Sequence, residues 1–199
     1  MDTAFRGSSG LITDFIEGIG RSVKDISLVI ITHNHLDHAG GLAELKKLAD
    51  FKVAAHKADI SNDESGLPYR TTVRKILKIP PVSIFRPLAY TTLRDIDLLL
   101  EGGEVLSPLG GLEVIHTPGH TPGSISLFAP RHRLIVVGDA LNNRHRDLRL
   151  PPRMVSTDPA RARQSAAEIA RLDFDVICFG HGRPITENAS ARVRDLLDK

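Results

Sequence analysis

Apolar positions in this chain recur at two spacings, and the change from one to the other predicts the order of elements. Ser8-Ser9 followed by Leu11, Ile12, Phe15, Ile16 and Ile19 has the three-and-four spacing of an amphipathic helix, with serine at its start and Gly18 to Gly20 at its end. Ser27-Leu28-Val29-Ile30-Ile31-Thr32 is a short β-branched run, the composition of a buried strand. Helical spacing returns over residues 39–48, and 51–55 reads as a second strand. Further strands are predicted over 97–100, 103–106, 112–116, 124–128 and 134–137, with Pro130-Arg131-His132 as the hairpin connection between the last two. Asp158-Pro159 places a capping aspartate and a first-turn proline at the head of a helix reaching residue 172. One more strand over 175–179 and a closing helix over 190–197 complete the order. Residues 57–93 are interrupted by Pro68, Pro80, Pro81 and Pro87 around a short helix over 71–77, and are expected to form a helical cap inserted between two sheet segments. Without an internal repeat or linker, 1–199 is one domain, and its order of strands and helices fits a β-sandwich flanked by helices, an α+β fold.

Composition narrows the class without naming a chemistry. With 41% hydrophobic and 25% charged residues the chain is neither disordered nor fibrous. Twenty-six basic against 24 acidic residues leave a formal charge of +2, too little for a generic nucleic-acid binder. No apolar run approaches the roughly 18 residues that span a bilayer, and Met1-Asp2-Thr3 lacks the basic start and apolar stretch of an export signal, so a cytoplasmic protein with no membrane partner is expected. Cys178, the single cysteine, excludes an intrachain disulfide framework and a thiolate zinc finger.

The histidines change the picture. Thr32-His33-Asn34-His35-Leu36-Asp37-His38 packs three imidazoles and a carboxylate into six consecutive positions. In an extended stretch, positions two apart point the same way, so His33 and His35 can grip one ion; Asp37 and His38, after a turn, face elsewhere towards a second. His120 sits on the proline- and glycine-fixed loop Thr117-Pro118-Gly119-His120-Thr121-Pro122-Gly123. Asp139 follows one predicted strand and His181 another, so all of these residues can converge on one sheet edge. His56, His132 and His145 read as structural or surface residues, whereas His116, at a strand end four residues before His120, is a candidate supporting group.

With these residues in this order, the chain resembles the metallo-β-lactamase superfamily from Asp2 to about His181. The resemblance implies a four-layer αββα sandwich with a metal site at its edge. It also implies that His33, His35 and His120 hold one divalent ion, that Asp37, His38 and His181 hold another, and that Asp139 bridges the two. Five neutral imidazoles and two carboxylates around two dications leave +2, and a bridging hydroxide lowers this to +1, a charge that favours an anionic tetrahedral intermediate. Asp2 resembles the aspartate that ends an early strand in this family and hydrogen-bonds a metal-ligating histidine. Family members usually carry further strands before it, so a sheet lacking the usual N-terminal strands is expected, with an open edge through which a homodimer could form.

True β-lactamases of the superfamily commonly carry cysteine or serine at the place of Asp139 and are secreted. With aspartate there, the chain looks more like the glyoxalase-II-like thioesterases and lactonases, and the resemblance implies a metal-dependent hydrolase of a small thioester, lactone or ester. Asp37 would then hold the hydroxide in line for attack. Zinc suits the nitrogen and oxygen donors best, although iron or manganese can use the same set. Two alternatives are a mononuclear-iron persulfide dioxygenase with iron at His33, His120 and Asp139, and a metal-dependent phosphodiesterase or nuclease, which the low net charge argues against. Specificity for a small-molecule substrate is expected from the 57–93 segment, where Tyr69 is a candidate contact. The arginines between 131 and 153 are the other source: Arg144 and Arg146 stand closest to Asp139 and could draw an anionic group.

Overall fold

The computed structural model describes residues 1–60 and 96–198. The strand runs build two sheets. β1 (Leu28–Ile31), β2 (Lys52–His56) and β3 (Leu98–Leu100) lie parallel in that order. The second sheet runs β4 (Val105–Leu106), β5 (Leu112–His116), β6 (Ile125–Ala129), β7 (Leu134–Val136) and β8 (Val176–Cys178), antiparallel except between β7 and β8. Period-two alternation then sorts the side chains into layers. Val29, Ile31, Val53 and Ala55 face helices α2 (Leu36–Ala39) and α3 (Leu42–Leu45), meeting Ala39, Leu42 and Leu45. Their neighbours Ile30 and Ala54 face the other way, against Val114, Ile125 and Leu127 of the second sheet. Phe128, Ile135 and Ile177 point outward from that sheet into a third core, with Ala166 and Ile169 of α4 (Pro159–Ala170) and Val193 of α5 (Ala189–Leu197). The result is the expected αββα sandwich. As the sequence predicts, Asp158 caps α4, its carboxylate accepting from the N–H groups of Ala160 and Arg161 at 3.0 Å each.

Three local features differ from the sequence pattern. The helical run over 39–48 is broken into α2 and α3 at Gly40-Gly41, because the N-terminal segment lies against the glycines. The Gly41 N–H donates to Ala4 O, and a Cβ on Gly41 would stand 2.2 Å from Thr3 O. Helix α1 (Ser9–Gly18) forms, but the Ser8 side chain does not cap it; the Glu44 carboxylate instead receives the Gly7 N–H and the Ser9 hydroxyl. Of its apolar stripe, Ile12 packs on the helix-side core while Leu11 and Phe15 are 73% and 70% exposed. Among the described residues no strand precedes β1, which forms one edge of its sheet; the Asp2 N–H donates to Ile30 O at 2.9 Å along that edge. From residue 61 onwards the expected cap, including Tyr69, lies outside the described residues. No described helix is long and apolar enough to cross a membrane.

Candidate metal centre

After β1 the chain bends at Thr32 and His33, the His35 N–H donating to His33 O at 3.1 Å, rather than running extended as the spacing predicts; it enters α2 after His35, so His33 and His35 precede the helix and Asp37 and His38 lie in it. His33 Nε2 lies 3.1 Å from His35 Nδ1, and His120 Nε2, from the loop after β5, lies 2.9 Å from the same atom. A tetrahedral ion with ligand bonds of about 2.0–2.1 Å would set its nitrogens roughly 3.3 Å apart. On the far side of the turn, His181 Nε2 is 3.0 Å from Asp37 Oδ2, and His38 Nε2 is 3.9 Å from that oxygen. Asp139 stands between the groups: Oδ1 is 3.4 Å from His38 Nε2, while Oδ2 is 3.4 Å from both His120 Nε2 and His181 Nε2. All seven candidate ligands therefore meet. The sets His33/His35/His120, His33/His38/Asp139 and Asp37/His38/His181 each bring their donor atoms within 4.8 Å of one another.

This donor set fits divalent cations better than it fits itself. His38 Nε2 and Asp139 Oδ1 are buried and make no hydrogen bond among the described residues, although they face one another. The network behind them fixes which ring nitrogen faces inward. The Asp2 carboxylate accepts from Thr32 N–H at 2.8 Å, from Thr32 Oγ1–H at 2.9 Å and from His38 Nδ1–H at 2.9 Å. Since the Thr32 hydroxyl gives its proton to Asp2, its oxygen, 3.1 Å from His33 Nδ1, accepts from that ring. One carboxylate thus orients His38 directly and His33 through a hydroxyl, leaving both Nε2 lone pairs free for a ligand bond.

Electrostatics sort the site in the same way. Burial holds His33 and His120 well below the ordinary imidazole range, with neighbouring imidazoles adding to the effect. Burial likewise brings His35 down to about 4. Burial also works against His38, but the hydrogen bond and charge of Asp2, with the charges of Asp139 and Asp37, raise it above its usual value. Asp37 is pushed up by burial, yet the His181 hydrogen bond and the His38 charge hold it well below the carboxylate range. Burial raises Asp139. Gly180 is demanded by close approach, since a Cβ there would stand 2.2 Å from Asp139 Oδ1 and 2.5 Å from His38 Cε1.

Around the centre, a cavity of about 240 Å³ is lined by His35, Asp37, His120, Asp139 and His181 together with Asn142, Arg144, Pro151, Pro152 and Val155. Arg144 therefore borders the same cavity as the ligands. Arg146 lies in a separate cleft with Asn143, His145, Gly182 and Arg183. His116 stacks on His56 with ring centroids 4.0 Å apart and donates from Nε2 to Pro122 O at 2.8 Å, on the loop that carries His120. Two supporting residues carry no signal in the sequence reading: Thr32, whose hydroxyl relays Asp2 to His33, and Asp59, a buried carboxylate beneath the ligand loops.

A family model described as the metallo-beta-lactamase superfamily matches residues 2–181. The chain belongs to the metallo-β-lactamase superfamily. Among relatives of the superfamily, it is similar to the probable metallo-hydrolase YflN of Bacillus subtilis, with 28% identity across 94% of this chain and 75% of that protein. It also resembles the acyl-coenzyme A thioesterase MBLAC2 of Gallus gallus, 31% identical over 57% of this chain and 41% of that one. The metallo-β-lactamase family protein TTHA1429 of Thermus thermophilus superposes with a TM-score of 0.74 at 22% identity, covering 99% of this chain and 67% of its own; at that identity the likeness shows the fold.

Proposed function

We propose that this superfamily member is a metal-dependent hydrolase that cleaves a small thioester, lactone or ester at a two-ion centre. The observation that carries the reading is Asp139, whose carboxylate stands 3.4 Å from histidines of both ligand groups. His33, His35 and His120 would hold one ion, Asp37, His38 and His181 the other, with Asp139 shared between them. Two divalent ions there would supply an acidified water and a Lewis-acidic pull on the scissile carbonyl, and zinc suits the donors best. The protein's own residues do the rest. His33 and His120, held neutral by burial, offer lone pairs rather than protons. Asp37, held ionised, is the acceptor that orients the attacking water. Asp2 fixes the tautomer of His38.

Arg144 on the cavity wall would attract a substrate that carries an anionic group. The likeness to an acyl-coenzyme A thioesterase supports a thioester as the first compound class to try. A mononuclear-iron oxygenase would need only part of the set, and a second group of three donors, Asp37, His38 and His181, within 4.8 Å of one another favours two ions over one. The test is turnover of a panel of thioesters, lactones, carboxylesters and phosphodiesters before and after chelation. Chelator-sensitive carbonyl hydrolysis supports the proposal, and phosphodiester turnover alone contradicts it. In Arg144→Ala, turnover should fall on carboxylated substrates and hold on neutral ones; an equal effect on both would remove the anionic preference.

A further inference from the structure

We infer that Asp59 is a positioning residue for the His33/His35/His120 group, acting through the two loops that carry those histidines and touching none of them. The inference rests on the metal reading above. Asp59 follows β2 and is buried, 6% exposed. Its Oδ2 accepts from Asn34 N–H at 2.9 Å and from the Thr121 hydroxyl at 2.8 Å, and its Oδ1 accepts from Gly123 N–H at 2.6 Å. Its backbone carbonyl takes a fourth bond, from Asn34 Nδ2 at 3.2 Å. Asn34 sits between His33 and His35, and Thr121 directly follows His120. One carboxylate therefore clamps the first ligand loop to the second across 25, 62 and 64 positions of sequence.

The clamp is built to hold a carboxylate and nothing smaller or neutral. Three donors converge on its two oxygens, so an amide would turn its own N–H₂ towards at least one of them. Gly123 admits the group, since a Cβ there would stand 2.6 Å from Asp59 Cγ. The Thr121 hydroxyl, having given its proton to Asp59, is backed by Ser124 Oγ at 2.8 Å, which also accepts the Thr121 N–H at 3.0 Å. The 2.9 Å separation between His120 Nε2 and His35 Nδ1 is set by the relative placement of two loops that share no strand pairing of their own. A shift of the loop that carries His120 opens that contact while Asp37, His38 and His181, none of which lies on it, keep theirs.

The experiment is a cobalt(II) titration of the full chain, wild type against Asp59→Asn, following absorption and the paramagnetically shifted imidazole signals that separate the two groups. Circular dichroism of the metal-free proteins checks the fold. The expected result is two bound cobalt ions in wild type and, in Asp59→Asn, a loss of about 10–100-fold in affinity confined to the His33/His35/His120 signals. Thr121→Val, which removes one clamp bond, should give a smaller loss at the same group, and Thr121→Ser should restore it. Should Asp59→Asn fail to fold, the threonine pair decides alone. Unchanged affinity in the variants, or an equal loss at both groups, overturns the positioning role and leaves Asp59 a fold anchor. A wild-type protein that takes up no cobalt overturns the metal reading itself, and the inference with it.

Discussion

Replacing Asp2 with alanine tests how far the centre depends on residues that touch no ion. The carboxylate accepts three hydrogen bonds, at 2.8 Å from Thr32 N–H, 2.9 Å from Thr32 Oγ1–H and 2.9 Å from His38 Nδ1–H. Its loss strands two donors that cannot turn away, the Thr32 backbone N–H and the His38 ring N–H, each at a cost of about 1–3 kcal/mol when buried. The Asp2 side chain is 16% exposed, so water reaches the gap and the lower end applies, giving about 2–3 kcal/mol of lost stability in the metal-free protein. The metal term is separate. Removing an orienting partner of a ligating histidine costs about 10–100-fold in affinity, or roughly 1.4–2.7 kcal/mol. That loss should fall mainly on the Asp37/His38/His181 group, with a smaller effect on His33, which is reached only through Thr32. Urea unfolding of the metal-free variant measures the first term, and competition of the protein against a calibrated chelator for zinc measures the second. Wild-type zinc affinity in Asp2→Ala would refute the reasoning, whatever happened to stability, because the network would then hold the fold and not the ligands.

Other changes should act where the geometry puts them. Asp139→Ala should lose one bound ion and nearly all turnover, read by elemental analysis and activity, since its oxygens face both groups at 3.4 Å. Gly180→Ala should cost about 1–3 kcal/mol in urea unfolding and lower zinc uptake, because the added methyl meets Asp139 and His38. Acid should weaken the metal-free protein. His33, His35 and His120 stay neutral when folded but protonate at the ordinary value of 6.5 when unfolded, so their contribution is complete above 6.5 and is lost as pH falls, for His35 down to about 4. His38, Asp139 and Asp59, all raised in the folded protein, have the opposite sign and gain as pH falls, but the larger depressions of His33, His35 and His120 outweigh them. Unfolding midpoints from pH 7.5 to 4.5 check this; flat stability over that range would contradict it.

The candidate site was legible because most of it is local. His33, His35, Asp37 and His38 lie within six positions, the first two before α2 and the last two in it. His120, Asp139 and His181 were legible because each follows a strand end, and the sandwich brings those ends to one edge. The run Leu28–Ile31 was legible as a buried strand, but being apolar at every position it could not say which face meets what; the structure sets Val29 and Ile31 against helices and Ile30 against the other sheet. What escaped was set by contacts between distant segments. The break at Gly40-Gly41 depends on the chain around Thr3, which no helical spacing encodes. The Leu11 and Phe15 stripe has the pattern of a buried helix face, yet only Ile12 of the three finds the core. Arg144 and Arg146 look equivalent in sequence but border different clefts, because His145 and Arg146 take left-handed backbone with φ of 56° and 62°. Asp59 is a lone acid after a strand, a pattern too common to single out; its role appears only when Asn34, Thr121 and Gly123 close around it.

The central claim is that seven side chains meet around two ions, and anomalous diffraction at the zinc edge from zinc-soaked crystals tests it most directly. Two peaks are expected, one among His33, His35 and His120, the other among Asp37, His38 and His181, with Asp139 reaching both. A map with no peak among those seven residues would contradict the account and leave only the sandwich standing.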